Sequence, residues 1–157
     1  MRKALTLTFA IVVASTMAAF AADNTLGTWK YNTAKSKGAA GVSPITNLTV
    51  TREASADGVK ITAKGARADG TKIDSVADAK YDGKAVPVTG TGYTWDSTAL
   101  KQVDANTITE SRTKQGTKYH TTVRTVVSAD GKTMTSTTKG TNADGKAITT
   151  KAVFDKQ

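Results

Sequence analysis

The 157-residue chain reads as an all-β protein, an up-and-down antiparallel meander closing into a barrel of about eight to ten strands behind an N-terminal export leader. Three observations carry this reading. Asp-Gly pairs recur at Asp57-Gly58, Asp69-Gly70, Asp82-Gly83, Asp130-Gly131 and Asp144-Gly145. Asp-Gly favours tight hairpins because both residues tolerate positive φ. Between these turns, apolar and polar residues alternate with period two, the pattern of half-buried antiparallel strands. Threonine is the compositional outlier, with 26 copies between residues 22 and 157. It is a β-branched polar type that suits pleated, half-exposed surfaces and fits helices poorly.

The leader comes first. Arg2 and Lys3 are followed by a stretch from Ala4 to Phe20 that is apolar apart from Thr6, Thr8, Ser15 and Thr16, and Ala19-Phe20-Ala21 has a small-x-small processing form. This predicts a cleavable signal peptide over 1–21 and one domain over 22–157. The stretch is barely long enough to span a bilayer, and Asp23 and Asn24 follow it instead of a basic stop-transfer cluster. With no cysteine in the chain, a lipoprotein anchor is excluded. The expected product lies in the periplasm or outside the cell, with no integral membrane segment after processing.

Ten strands are then predicted, over 27–31, 45–53, 59–66, 71–81, 84–88, 97–103, 107–113, 117–127, 132–139 and 146–154. The alternation is clear where Ile73, Ser75, Ala77, Ala79 and Tyr81 share a face against Asp74, Asp78 and Lys80. Residues 32–44 form a polar, small-residue connector with room for one helical turn, and 89–96 reads as a loop. A weak repeat aligns 62–73 with 137–148, seven of twelve positions matching. Duplication of a three-strand meander and convergence on good hairpin turns both account for it. Consecutive hairpins leave two exposed edges unless the sheet closes, which a barrel does. A β-sandwich is the alternative, with 32–44 and 89–96 as its only available crossovers.

Composition bounds the function. Once Arg2 and Lys3 leave with the leader, 20 basic residues face 13 acidic ones, about +7. They are scattered singly and are not interleaved with aromatics, so no nucleic-acid platform is expected. The same charge suits a solvated exterior or weak attraction to anionic envelope polymers. Leu, Ile, Val, Met and Phe together number only 21 after residue 21, so either many strands have a wet face or the interior is partly polar.

Leu26-Gly27-Thr28-Trp29-Lys30 carries a Gly-x-Trp motif at the start of the domain. It resembles the first-strand signature of the lipocalins and fatty-acid-binding proteins, the calycin group. The resemblance implies a lipocalin-like barrel with Gly27 and Trp29 closing one end, the Trp lying near a basic residue of a late strand. Arg124 and Lys151 are the candidates for that partner. The chain is also similar to small exported bacterial proteins with Gly-Thr-Trp-Lys near the start, here 27–30, Ala-Asp-Gly-Lys turns, here 129–132, and a Phe-Asp-Lys-Gln end, here 154–157. It departs from the group in lacking a Thr-Asp-Tyr motif. The last strand reads Lys151-Ala152-Val153-Phe154 in place of an Arg-x-Tyr pair.

Few residues point to chemistry. His120 is the only histidine and there is no cysteine, which removes His/Cys zinc sites. No Gly-x-Ser-x-Gly elbow is present. The Asp-Gly turns lack the carboxylate ladder and closing Glu of a calcium loop. Gly90-Thr91-Gly92 lacks the Lys-Ser/Thr and helix of a phosphate cradle. No metal or cofactor is therefore expected. On 107–113, Ile108, Glu110 and Arg112 share a face; on 117–127, Tyr119, Thr121 and Val123 oppose His120, Thr122 and Arg124. If Arg112 or Arg124 points inward, a guanidinium is available to grip an anionic group. If Glu110 and its basic neighbours point outward, they form a surface pair instead. Tyr93 and Trp95 are placed to line a barrel mouth or to cap the core. The candidate ligand-binding residues are thus Arg112, Arg124, Tyr119, Tyr93 and Trp95. The resulting reading is a non-enzymatic periplasmic or secreted protein binding a small, partly apolar, amphipathic molecule. The alternative is a structural or interaction module of the envelope, contacting an anionic polymer or a partner protein.

Overall fold

The computed structural model describes residues 22–56 and 58–157; the predicted leader lies outside them. Eleven strands form: β1 Gly27–Tyr31, β2 Ile45–Ser55, β3 Gly58–Arg67, β4 Lys72–Lys80, β5 Val86–Pro87, β6 Thr89–Thr91, β7 Ser97–Asp104, β8 Thr107–Thr113, β9 His120–Val127, β10 Thr133–Thr141 and β11 Ala147–Lys156. All pair antiparallel in one sheet, in the order β5-β7-β8-β9-β10-β11-β1-β2-β3-β4-β6. The result is a nearly closed up-and-down barrel in place of a two-sheet sandwich. The described residues contain no helix, and the connector 32–44 makes an isolated bridge, Lys37 to Lys151, where a helical turn had been allowed.

The seam explains the largest departure from the predicted strands. Of the strand expected over 84–88 only Val86–Pro87 forms, paired with β7, and Thr89–Thr91, in the segment 89–96 expected as a loop, forms a strand paired with β4, so this short stretch bridges the two edges. Asp82 bridges to Lys101, and the Gly83 N–H donates to the Leu100 carbonyl at 2.9 Å. Pro87, with no N–H to donate, is tolerated because such short edge segments carry few ladder bonds.

Tight turns form at Asp69-Gly70, Asp130-Gly131 and Asp144-Gly145, by a different route from the one expected; Asp82-Gly83 makes no tight hairpin, because Val86–Pro87 pairs with β7 and not with β4, and Asp57 lies outside the described residues. Among the described residues no non-glycine residue has positive φ; Gly70, Gly83, Gly131 and Gly145 alone take the left-handed conformation at their turns. The aspartates act through their side chains. Asp69, Asp82 and Asp130 each accept an N–H from two residues on, from Thr71, Lys84 and Lys132. Asn142 does the same for Asp144. The carboxylate or amide oxygen thus replaces the backbone partner that the turn cannot supply.

The aligned segments 62–73 and 137–148 are the β3–β4 and β10–β11 hairpins. Their shared glycines, Gly65 and Gly140, sit where a neighbouring backbone comes close. A Cβ there would lie 2.2 Å from the carbonyl oxygen of Asn47 or His120 respectively. Both hairpins turn at the same end of the barrel as the connector 32–44. At the other end the N-terminal residues pack across the sheet, Asn24 bonding to Ala105 and Asn106.

Inward positions follow the alternation. In β4, Ile73, Ser75, Ala77 and Ala79 are buried while their neighbours are exposed; in β9, Thr121, Val123, Thr125 and Val127 are buried. Trp29 is fully buried in a cluster with Leu48, Ala63, Ile73, Val127, Met134 and Phe154, and Val59, Ala79, Leu100 and Ile108 form a second cluster. The thin apolar count is resolved by hydroxyls inside: Thr98, Thr121, Thr125, Thr138 and Ser75 are all buried. The outer face of β9 is His120, Thr122, Arg124 and Val126, the reverse of the apolar band on a membrane barrel. Among the described residues no helix is long and apolar enough to cross a membrane.

Candidate functional site

Because many inward side chains of β4 and β9–β11 are small or hydroxyl-bearing, such as Ser75, Ala77, Thr125, Ser136, Thr138 and Ala152, they do not fill the barrel. A cavity of about 690 Å³ remains. This lies within the range of small-molecule sites, roughly 300–1,000 Å³. One wall is apolar, with Leu48, Val50, Ile61, Ala63, Ala77 and Phe154; the opposite wall carries Thr98, Glu110, Arg112, Tyr119 and Thr138. The connector contributes Gly38 to Ala40 and Val42 to Pro44, and the β10–β11 turn contributes Asn142, Ala143 and Asp144, at the mouth.

The polar wall centres on an internal ion pair. Glu110 and Arg112 are two apart on β8, so both point inward, beside Thr98 of β7 in the paired register. The Arg112 guanidinium grips the carboxylate with two bonds, Nε to Oε1 at 2.7 Å and Nη2 to Oε2 at 2.8 Å. The Thr98 hydroxyl donates to Oε1 at 2.5 Å. Burial pushes the Glu110 carboxyl up, but the charge and hydrogen bonds of Arg112, with help from Thr98 and Arg52, outweigh it and hold the group below the usual carboxylate value. Burial likewise opposes charge on Arg112, and Glu110 reverses the sign, leaving the guanidinium above its usual value.

An aromatic stack backs the pair. Arg112 lies 4.3 Å from the Trp95 ring, Tyr93 stacks on Trp95 at 4.0 Å, and Tyr119 lies 6.2 Å from Trp95 nearly parallel to it. This geometry suits cation–π attraction. Desolvation pushes the Tyr93 phenol up to about 12, so it is a hydrogen-bond donor at neutral pH.

A second polar network seals the far end. Arg52, on the apolar face of β2, is only 5% exposed. Its Nε donates to the Thr25 hydroxyl at 3.0 Å and its Nη2 to the Tyr81 hydroxyl at 3.4 Å. Both hydroxyls in turn donate to the Asp23 carboxylate. At the mouth, Arg67 reaches the Ser43 and Gly92 carbonyls at 2.8 and 3.3 Å, tying the connector to the 92–96 loop.

The structure therefore brings together four of the five residues singled out in the sequence: Arg112, Tyr119, Tyr93 and Trp95 all line the cavity. Arg124 does not join them. It lies on the exposed face of β9, between Thr109 and Thr137, because it shares the parity of His120 and not that of the buried Thr121. Gly27 and Trp29 sit at the sealed end, with the Trp29 indole N–H on the Thr25 carbonyl at 2.8 Å. The cation beside Trp29 is Lys156 of β11, 4.9 Å from the ring, in place of Arg124 or Lys151. Arg52 and Arg67 were not singled out. Arg52 had a readable signal: it continues the inward series Leu48, Val50, Arg52 on a predicted strand. Arg67 had none, since its role depends on two loops meeting.

Among the described residues no group of three or more His, Asp or Glu is placed to hold a metal ion. Comparison with known proteins finds no match: no protein-family model, no curated protein and no solved structure is significantly similar to this chain. The class rests on geometry alone, a nearly closed antiparallel barrel around a cavity with one apolar and one charged, hydrogen-bonding wall.

Proposed function

We propose that this chain is an exported binding protein that takes a small, partly apolar molecule into its barrel. The observation that carries the reading is the cavity of about 690 Å³ with its two chemically distinct walls. Burial of ligand surface against Leu48, Val50, Ile61 and Phe154 supplies the driving force, at about 25 cal/mol per Å². The polar wall fixes orientation. The Gly-x-Trp start and the barrel support a lipocalin-like assignment, and the leader pattern supports a periplasmic or extracellular location. An interaction module needs no such space inside, so the cavity favours binding over that alternative. Native mass spectrometry of the protein from a periplasmic extract, beside its denatured mass, tests the proposal. A reproducible extra mass lost on denaturation is expected. A bare mass across preparations, with no added amphiphile retained, rejects it.

A further inference from the structure

We infer that the cavity selects a neutral amphiphile over the corresponding acid: an apolar chain or ring system ending in a hydroxyl, carbonyl or amide. This rests on the binding reading above and names its ligand class. Cavity-lining arginines invite the opposite conclusion, that an anion is gripped, but their partners argue against it.

The Arg112 fork is already filled by Glu110 at 2.7 and 2.8 Å. A carboxylate arriving at Arg112 would have to share that guanidinium with Glu110, placing two like charges side by side, where each opposes the other's ionisation. Arg52 is linked to Asp23 through the Thr25 and Tyr81 hydroxyls. Arg67 sits at the mouth, where both terminal nitrogens donate to backbone carbonyls. No deep guanidinium therefore offers an unmatched charge.

What the interior does offer is hydroxyls. Ser75 and Thr138 point inward, line the cavity, and make no side-chain hydrogen bond to another described residue. The Tyr93 hydroxyl is in the same position. Hydroxyls both donate and accept, so they match a neutral polar head and leave no charge uncompensated. Thr138 lies on β10 across from Val123, which is itself paired with Glu110. The unpartnered hydroxyl and the ion pair thus belong to one wall.

The test is displacement of the neutral dye Nile red from the purified protein by dodecanol and by dodecanoate, from pH 8 to pH 5. At pH 8 the alcohol is expected to displace the dye at a concentration at least tenfold below that of the acid. As pH falls toward the acid's own pKa, the acid should tighten while the alcohol stays unchanged. The groups facing the pair are Thr98, Arg52, Tyr93 and Tyr119. Glu110 is held low and Tyr93 high, so neither changes charge in this window. His120 lies on the outer face. In Glu110→Gln the Arg112 charge is left unmatched, and the tenfold preference should vanish or reverse. Acid binding as tight as alcohol in the wild type at pH 8 overturns the inference while leaving the binding reading intact. Failure of dye and both amphiphiles to bind overturns the two together. If Glu110→Gln does not fold, the wild-type pH profile decides alone.

Discussion

Replacing Arg112 by Ala isolates the internal ion pair and gives a sharp expectation. Glu110 is 7% exposed and takes two of its three side-chain hydrogen bonds from Arg112. The substitution leaves a buried carboxylate with Thr98 as its remaining hydrogen-bond donor and Arg52 as its nearest compensating charge. Removing one partner of a buried pair costs about 3–5 kcal/mol. For a domain of this size that is a fall of roughly 10–17 °C in Tm.

The pH dependence separates this cause from lost packing. In the wild type the folded-state pKa of Glu110 is depressed. Its stabilising contribution is present above the unfolded value, near 4.3, and is lost as pH falls through the lower folded value. In the variant, burial is no longer outweighed and the folded pKa rises. The penalty then grows as pH climbs past about 4.3 and is greatest near neutrality. Urea denaturation at pH 7 and pH 4.5 should show the wild-type advantage shrinking at the lower pH. Adding Glu110→Gln to Arg112→Ala should recover at least half the loss at pH 7. A cost below about 1 kcal/mol, equal at both pH values, would refute the claim that this pair is buried and coupled.

Three further outcomes follow from the geometry. Gly140→Ala should lower Tm markedly, because its Cβ would meet the His120 carbonyl oxygen at 2.2 Å and φ there is +151°, whereas Gly38→Ala meets nothing within 4 Å and should be close to neutral. Ultraviolet titration should find one tyrosine ionising near pH 12, lost in Tyr93→Phe. Because that folded pKa is raised, the associated stability is complete below about pH 10 and disappears as pH rises toward 12, so equilibrium unfolding should become easier across that window. Arg124→Gln, on the exposed face, should change stability by less than about 0.5 kcal/mol and leave dye binding untouched; a loss of binding would contradict its outward placement.

Much of the architecture is legible in the chain because its signals are local. Strand parity at Ile73 to Ala79, the turn glycines and the surplus of threonine each depend only on neighbouring residues, and they define an antiparallel meander. The same parity puts Glu110 and Arg112 on one face and separates Tyr119 from His120. Parity does not say which face is the inside when both are rich in polar side chains. Arg124 was therefore as good a candidate as Arg112 until the barrel closed with Val123 and Thr125 within it.

Closure itself depends on residues far apart in sequence. The 86–91 segment must find β7 on one side and β4 on the other, and β1 must lie against β11. The partners of the arginines belong to the same category. Arg52 meets residues 23, 25 and 81 only across the sealed end, and Arg67 meets Ser43 and Gly92 only across the mouth. Short-range alternation and turn chemistry thus determined most of the strands and their meander, and the leader pattern alone set the compartment expectation. The inside of the barrel, its cavity and the pairing of its charges were decided by long-range contacts, because a charge's partner is set by distance in space and not along the chain.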